Sequence, residues 1–302
     1  MNSVLEQLSP GARVAIIRLR SLGDCVLTTP ALRLLKAHRS DLEIALVVED
    51  RFRSVFEGNP DVSILAPRMS DLVRFHPQLC LNLHGGTRSL ALALGSGAPL
   101  RAGFGHFRAA CMYNVRIPRA QEILGEERKV HTAEHLASAM FYLGVPRAGI
   151  PRASLYTDRA PAPRRSYAVL HPFASAPAKT WPPEAFAELA RRLLAGGTDA
   201  VFIGAPSDQF VPFSEFTTLA GAPLATIKQW LAGASLFIGN DSGPAHMAAA
   251  LGLPLVVLFG ESDPDIWGPW RAHAEVIAAG ASLAKVPVSD VLEAIERLRV
   301  AP

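Results

Sequence analysis

At 302 residues the chain is long enough for about two domains of ordinary size, each with its own core, which excludes a small scaffold dependent on staples. Hydrophobic residues make up 49% and charged residues 19%, with 23 Gly and 24 Pro dispersed along the chain, a globular composition that excludes collagen-like repeats, coiled coil and disorder. The net charge of +3 is too small to argue for nucleic acid. The first 160 residues nevertheless hold 20 Lys and Arg against 14 Asp and Glu, while the rest hold 10 against 13. The first half therefore reads either as facing an anionic partner or as an arginine-rich surface with no common target.

The opening MNSVLEQLSPGAR has no basic region leading into an apolar one, so no secretory signal is expected. Val14–Leu19 reads as a buried strand, Asp24–His38 as a helix and Ile44–Val48 as the next strand, one βαβ unit. Further strands are expected at Ser63–Ala66, Leu79–Leu83 and Leu100–Phe104, with helices at Arg51–Glu57, Thr87–Leu94 and Thr132–Leu143. The Pro, Ala and Arg-rich stretch Asp158–Ser166 is the expected linker, giving domains 1–160 and 161–302.

The pattern then restarts. Strands are expected at Tyr167–His171, Ala200–Gly204, Leu236–Gly239 and Leu255–Phe259, and helices at Pro183–Leu194, Gln209–Ala220, Ile227–Ala232, Gly243–Leu251 and Val291–Leu298. Apolar strands alternating with helices imply parallel sheets covered on both faces, hence two α/β domains whose strand ends face a central cleft. The longest apolar run, Met247 to Phe259, is broken by Gly252 and Pro254 and is shorter than the ~20 residues of a membrane-spanning helix. Cys25, Cys80 and Cys111 show no disulfide or metal-ligand spacing, and His131 and His135, at i and i+4 without an HExxH pattern, read as core or surface. A cytoplasmic protein without a metal is expected.

Three loops hold residues suited to chemistry. In Arg18-Leu-Arg-Ser-Leu-Gly-Asp24, the aspartate reads either as a general base on a hydroxyl or as a helix N-cap. In Gly239-Asn-Asp-Ser-Gly-Pro-Ala-His246, small residues open a helix whose N-terminus suits a diphosphate. Pro244 lacks an N–H, so Ser242, Gly243 and Ala245 are the backbone donors; the alternative is a plain cap by Asn240 or Asp241. In His171-Pro-Phe-Ala-Ser-Ala-Pro-Ala-Lys-Thr-Trp181, Lys179 either offsets phosphate charge or is surface charge. Asp208 binds ribose hydroxyls or caps a helix. The aromatic stretch Asp263–Trp270 reads as a packed loop. Neither GxGxxG nor GxxxxGK[ST] is present, which lowers the case for a nicotinamide dehydrogenase or a P-loop NTPase.

Together, residues 18–32 (RLRSLGDCVLTTPAL) and 239–252 (GNDSGPAHMAAALG) resemble glycosyltransferase family 9, the ADP-heptose:lipopolysaccharide heptosyltransferases. Leu83-His-Gly-Gly-Thr-Arg-Ser89, His171-Pro followed by Lys179-Thr-Trp-Pro182, and Phe259-Gly-Glu-Ser-Asp-Pro264 follow in the same order; at Asn82 the family often has Asp. The resemblance covers essentially the whole chain. It implies the GT-B fold, with the acceptor on the first Rossmann-like domain and the nucleotide sugar on the second, and an inverting, metal-independent transfer without a cofactor. Asp24 is then the general base. The implied donor-binding residues are Lys179, Asp208 at the ribose, Asp241 at the sugar hydroxyls, Ser242, Gly243, Ala245, His246 and Ser175; the implied acceptor-binding residues are Arg20, Gly23, Arg51 and Arg88. The implied partners are an ADP-sugar and an anionic glycolipid or oligosaccharide at the cytoplasmic membrane face. Three alternatives stand beside this: a GT-B transferase using another nucleotide sugar, a nucleotide-sugar epimerase, and a non-catalytic nucleotide-binding protein.

Overall fold

The computed structural model describes residues 3–157, 166–174, 176–280 and 282–300. The chain divides into two compact units, Met1–Ala153 and Ser154–Pro302. The expected linker lies almost wholly outside the described residues.

Unit 1 runs β1 (Arg13–Ile17), α1 (Leu22–Val26), α2 (Thr29–His38), β2 (Glu43–Val47), α3 (Arg53–Phe56), β3 (Ser63–Leu65), α4 (Met69–Phe75), β4 (Leu79–Asn82), α5 (Thr87–Gly95), β5 (Leu100–Phe104), β6 (Val115–Ile117), α6 (Ala120–Leu124) and α7 (Thr132–Leu143). Its sheet has the order β3-β2-β1-β4-β5-β6, all parallel. The central strands are apolar on both faces, and Val14 to Ile17 are fully buried, as a sheet covered on both sides by helices requires.

The expected helix 24–38 is two helices. Pro30 has no N–H to offer the carbonyl of Val26, four residues back, and the Thr29 hydroxyl donates to that carbonyl instead at 2.8 Å. The chain turns at Leu27–Thr28 and restarts with Pro30 in the first turn of α2.

Unit 2 runs β7 (Tyr167–His171), α8 (Pro183–Ala195), β8 (Asp199–Gly204), β9 (Thr217–Ala220), α9 (Leu224–Gly233), β10 (Leu236–Asn240), α10 (Gly243–Leu251), β11 (Leu255–Phe259), α11 (Pro264–Trp267), β12 (Ala274–Ala278) and α12 (Val288–Val300). Its order, β12-β11-β10-β7-β8-β9, is that of unit 1 read from the other edge, again all parallel. Both sheets are thus Rossmann-type, with the strand order reversing between β1 and β4 in one and between β7 and β10 in the other.

The helix expected at 209–220 is absent. A short 3-10 turn at Val211–Phe213 leads into β9, which pairs with β8 from Val201↔Thr217 to Gly204↔Ala220. The apolar spacing that mimics a helix serves packing: Phe213 stacks on Phe202 at 4.1 Å between centroids and Phe216 tilts on the same ring at 5.4 Å. Trp181 is fully buried in this core and donates from Nε1 to the Val286 carbonyl at 2.9 Å. Burying each such aromatic contributes roughly 1.5–3 kcal/mol. Among the described residues, no helix is long and apolar enough to cross a membrane.

Candidate active site

In open α/β sheets the carboxyl ends of the strands at the point of order reversal are where ligands bind. In unit 1 these ends lead into Arg18–Asp24 after β1 and Leu83–His84 after β4. Asp24 sits at the third position of α1 rather than at its cap. Its Oδ2 accepts from the Ser21 backbone N–H at 3.2 Å and the Ser21 hydroxyl at 3.0 Å, the reciprocal half of a capping box. Its Oδ1 lies 2.5 Å from Arg18 Nη2, the two side chains being 17% and 11% exposed. Arg18 Nη1 donates to the Leu83 carbonyl, which ties the β1 loop to the β4 loop. A carboxylate offers about four lone-pair positions, so these partners orient Asp24 and leave room for a hydroxyl proton.

Three imidazoles border this loop pair. His84 is held below the ordinary imidazole value by burial first, then by the Arg18 and Arg20 charges. His135 stacks on Phe104 at 4.1 Å and lies 5.3 Å from His106, and burial pushes it down to about 4, helped by His106 and Arg18. His106 is lowered by burial and by Arg119. Burial thus favours the neutral form of all three. Spacing alone placed His135 in the core or on the surface; its position beside this loop pair depends on β5 lying next to β4, which only the sheet order reveals.

Of the residues implied for the acceptor, Arg51 and Arg88 come together on Glu49. Arg51 approaches it at 2.8 Å and Arg88 at 3.6 Å, both guanidinium groups being exposed, and Arg51 also lies over the Phe52 ring at 4.6 Å. Arg20 is exposed, while Gly23 is buried within α1. Behind them Asn82 is fully buried: its Nδ2 donates to Ser89 Oγ (3.1 Å) and Tyr113 OH (2.7 Å), and its Oδ1 accepts from the His84 N–H (2.9 Å) and the Gly85 N–H (3.3 Å). Arg18 and Asn82 are residues to which the sequence alone assigns no role; the signal for Arg18 is an Arg at a strand end in the same loop as the Gly-Asp pair, six residues before Asp24.

In unit 2, Gly239 in β10 runs so close to β7 that a Cβ there would meet the His171 carbonyl oxygen at 2.9 Å. The alternative of a plain cap by Asn240 or Asp241 does not hold, since the N-cap residue is Ser242. The Asn240 amide spans the neighbouring loop, donating to the Pro172 carbonyl at 2.8 Å and accepting from the Trp181 N–H at 3.0 Å. Ser242 is the N-cap residue of α10 but makes no side-chain cap, and its Oγ is buried without a hydrogen-bond partner. The first N–H groups of this nine-residue helix are therefore left to other acceptors. Lys179 Nζ is 3.9 Å from Asp241 Oδ2, so the β7 and β10 loops meet across opposite charges. Asp208 caps no helix; its Oδ2 accepts from the Ala205 N–H at 2.7 Å and closes the loop after β8. His246 is buried within α10. Ser175 lies outside the described residues. Among the described residues, no group of three His, Cys, Asp or Glu side chains is arranged to hold a metal.

The model of glycosyltransferase family 9 (heptosyltransferase) matches residues 74–292. Over 160 residues the chain is 30% identical to lipopolysaccharide heptosyltransferase 3 of Escherichia coli, a stretch that is 44% of this chain and 47% of that protein. The chain thus spans about half or less of the length of the heptosyltransferase 3 and heptosyltransferase 2 relatives it matches. A family 9 glycosyl transferase from Veillonella parvula superposes with a TM-score of 0.80 at 23% identity, covering 95% of this chain and 97% of that one. The E. coli heptosyltransferase WaaC, solved with ADP, superposes at 0.79 and 21% identity over 95% and 99% of the two chains, and WaaC has also been solved with ADP-2-deoxy-2-fluoro heptose. These superpositions establish the fold.

Proposed function

The chain belongs to glycosyltransferase family 9 (heptosyltransferase), and we propose that it moves a heptose from an ADP-sugar to a hydroxyl of a lipopolysaccharide inner-core-like or related glycan. Asp24 takes the proton of the acceptor hydroxyl as that oxygen attacks the anomeric carbon. The bond from that carbon to the diphosphate breaks, ADP leaves with the electron pair, and the configuration inverts. Lys179 and the N–H groups of Ser242, Gly243 and Ala245 offset the charge that develops on the departing diphosphate, the task a metal performs in other transferases.

On this reading the free oxygen of Asp208 holds the ribose and Asp241 the sugar hydroxyls, with His246 and Ser175 completing the donor-binding set. Arg20, Arg51 and Arg88, with the backbone at Gly23, receive an anionic acceptor at the cytoplasmic face of a membrane. The single observation that supports this most is the α10 N-terminus: uncapped by any side chain, with Lys179 and Asp241 paired beside it. ADP in the solved WaaC complex supports the choice of nucleotide.

The test is a thermal-shift and calorimetry panel of ADP, UDP, GDP, CMP and NAD, each with and without magnesium. A ligand at 100 times its Kd adds about 2.7 kcal/mol of stability. Selective binding of ADP, equal with and without magnesium, is the expected result; preference for another nucleotide changes the donor. A product assay with ADP-heptose and acceptor then separates transfer from epimerisation, which needs no acceptor.

A further inference from the structure

Two buried polar atoms in unit 2 have no task in the chemistry above. His171 ends β7, and its Nδ1 is buried without a hydrogen-bond partner; Ser262 follows β11 within Gly260-Glu-Ser262, and its Oγ is buried and unpartnered as well. Native proteins leave few such atoms, and each one calls for a missing partner. The contrast with Asn240 is informative: it is fully buried on the adjacent strand, and both ends of its amide are bonded within the chain. His171 and Ser262 are unsatisfied along an edge whose other buried groups are not uniformly so.

Strand order arranges these atoms in a line. Adjacent strands run β11-β10-β7-β8, all parallel, about 5 Å apart. Asp208 follows β8, His171 ends β7, the α10 N-terminus with the unpartnered Ser242 Oγ follows β10, and Ser262 follows β11. A nucleoside diphosphate sugar with its ribose at Asp208 and its diphosphate at α10 has its sugar directed toward β11, and its diphosphate borders β7.

We propose that Ser262 and His171 are two further donor contacts, the Ser262 hydroxyl bonding a hydroxyl of the transferred sugar and His171 Nδ1 an oxygen of the diphosphate. This rests on the donor reading above and extends it to the sugar end. Burial holds the imidazole at about 4, so at pH 7 it is neutral and meets the diphosphate as a hydrogen-bond donor rather than as a charge.

The experiment is calorimetry of ADP and of ADP-heptose on the full chain, wild type beside Ser262→Ala, Ser262→Thr and His171→Leu, with the Tm of each protein free of ligand. Ser262→Ala is expected to weaken ADP-heptose about fivefold or more and to leave ADP within twofold, with Ser262→Thr restoring the affinity. His171→Leu weakens both ligands about fivefold or more. Because an unsatisfied polar atom is replaced by an apolar group, the free variants keep or raise their Tm. A merely structural role predicts the reverse, lowered Tm and unchanged affinities. Wild type binding both ligands while Ser262→Ala and His171→Leu bind them equally well overturns this inference and leaves the donor reading intact. Wild type binding neither ligand overturns both.

Discussion

Arg18 holds Asp24 through one guanidinium nitrogen and the Leu83 carbonyl through another, so one side chain sets the position of the carboxylate relative to the loop after β4. Asp24→Asn keeps the size and the contact with Ser21 but removes the proton acceptor. Single-turnover kinetics with ADP-heptose and acceptor are expected to show a loss of about 100-fold or more, the lower end for a general base, with affinity for the donor unchanged. Full turnover in this variant removes Asp24 from the mechanism.

Lys179 and Asp241 face one another at 3.9 Å, and their roles separate by ligand. Losing a charge-assisted contact costs about 1.5–3 kcal/mol, so Lys179→Met is expected to weaken ADP roughly 10–100-fold. Asp241→Asn removes a negative charge beside the diphosphate and frees Lys179. ADP then binds as well as before or better, while ADP-heptose binds more weakly. Titration of both ligands against both variants checks the pattern, and a parallel loss of ADP and ADP-heptose in Asp241→Asn contradicts it.

Behind the unit 1 site, Asn82 has all its amide valences occupied, one of them by Tyr113 OH at 2.7 Å. Tyr113→Phe leaves one Nδ2 hydrogen without a partner in a fully buried position and is expected to cost about 1–3 kcal/mol. Urea unfolding at pH 7 measures it as a lower midpoint at unchanged slope. A change below ~0.3 kcal/mol indicates that water replaces the phenol.

His135 and His171 are each pushed by burial to about 4 in the folded chain, against about 6.5 when unfolded. Between those values the unfolded chain binds more protons than the folded one, so stability rises with pH across the window and is lost as pH falls from 6.5 toward 4. Each imidazole contributes a slope of up to about 1.4 kcal/mol per pH unit. Urea midpoints of the wild type from pH 4 to 7.5 are expected to climb and then level, and His171→Leu to climb less steeply, with His84, His106 and His135 still contributing. A flat wild-type profile between pH 4.5 and 6.5 contradicts the assignment.

The central strands were legible because parallel sheets bury both faces: Val14–Ile17 and Leu255–Phe259 are continuous apolar runs that no amphipathic helix shows. Of the short, half-exposed edge strands, β3 is legible as Ser63–Ala66, whereas β6 and β12 carry no such mark. Phe210, Phe213 and Phe216 recur at the helical interval of three, and that interval outweighed the β-branched pair Thr217–Thr218 that enters the sheet. At the site, loops with Asp24, Lys179 and Asp241 could be found from local composition. The tie from Arg18 to Leu83, the amide network of Asn82 and the alignment of His171 with Ser262 depend on which strands lie side by side, and neither spacing nor charge encodes that.

Every strand pairing among the described residues is parallel. No two of these strands can therefore zip together across a tight turn; each pairing has to wait until an intervening crossover has been drawn back over the sheet. Each sheet is therefore held together by contacts distant in sequence, and the loops with Asp24 and Asp241 leave β1 and β10 at the middle of their sheets, with a paired strand on either side. The geometry of each functional loop thus depends on residues far away in the chain, and the strands that carry the two loops are paired along both edges and buried.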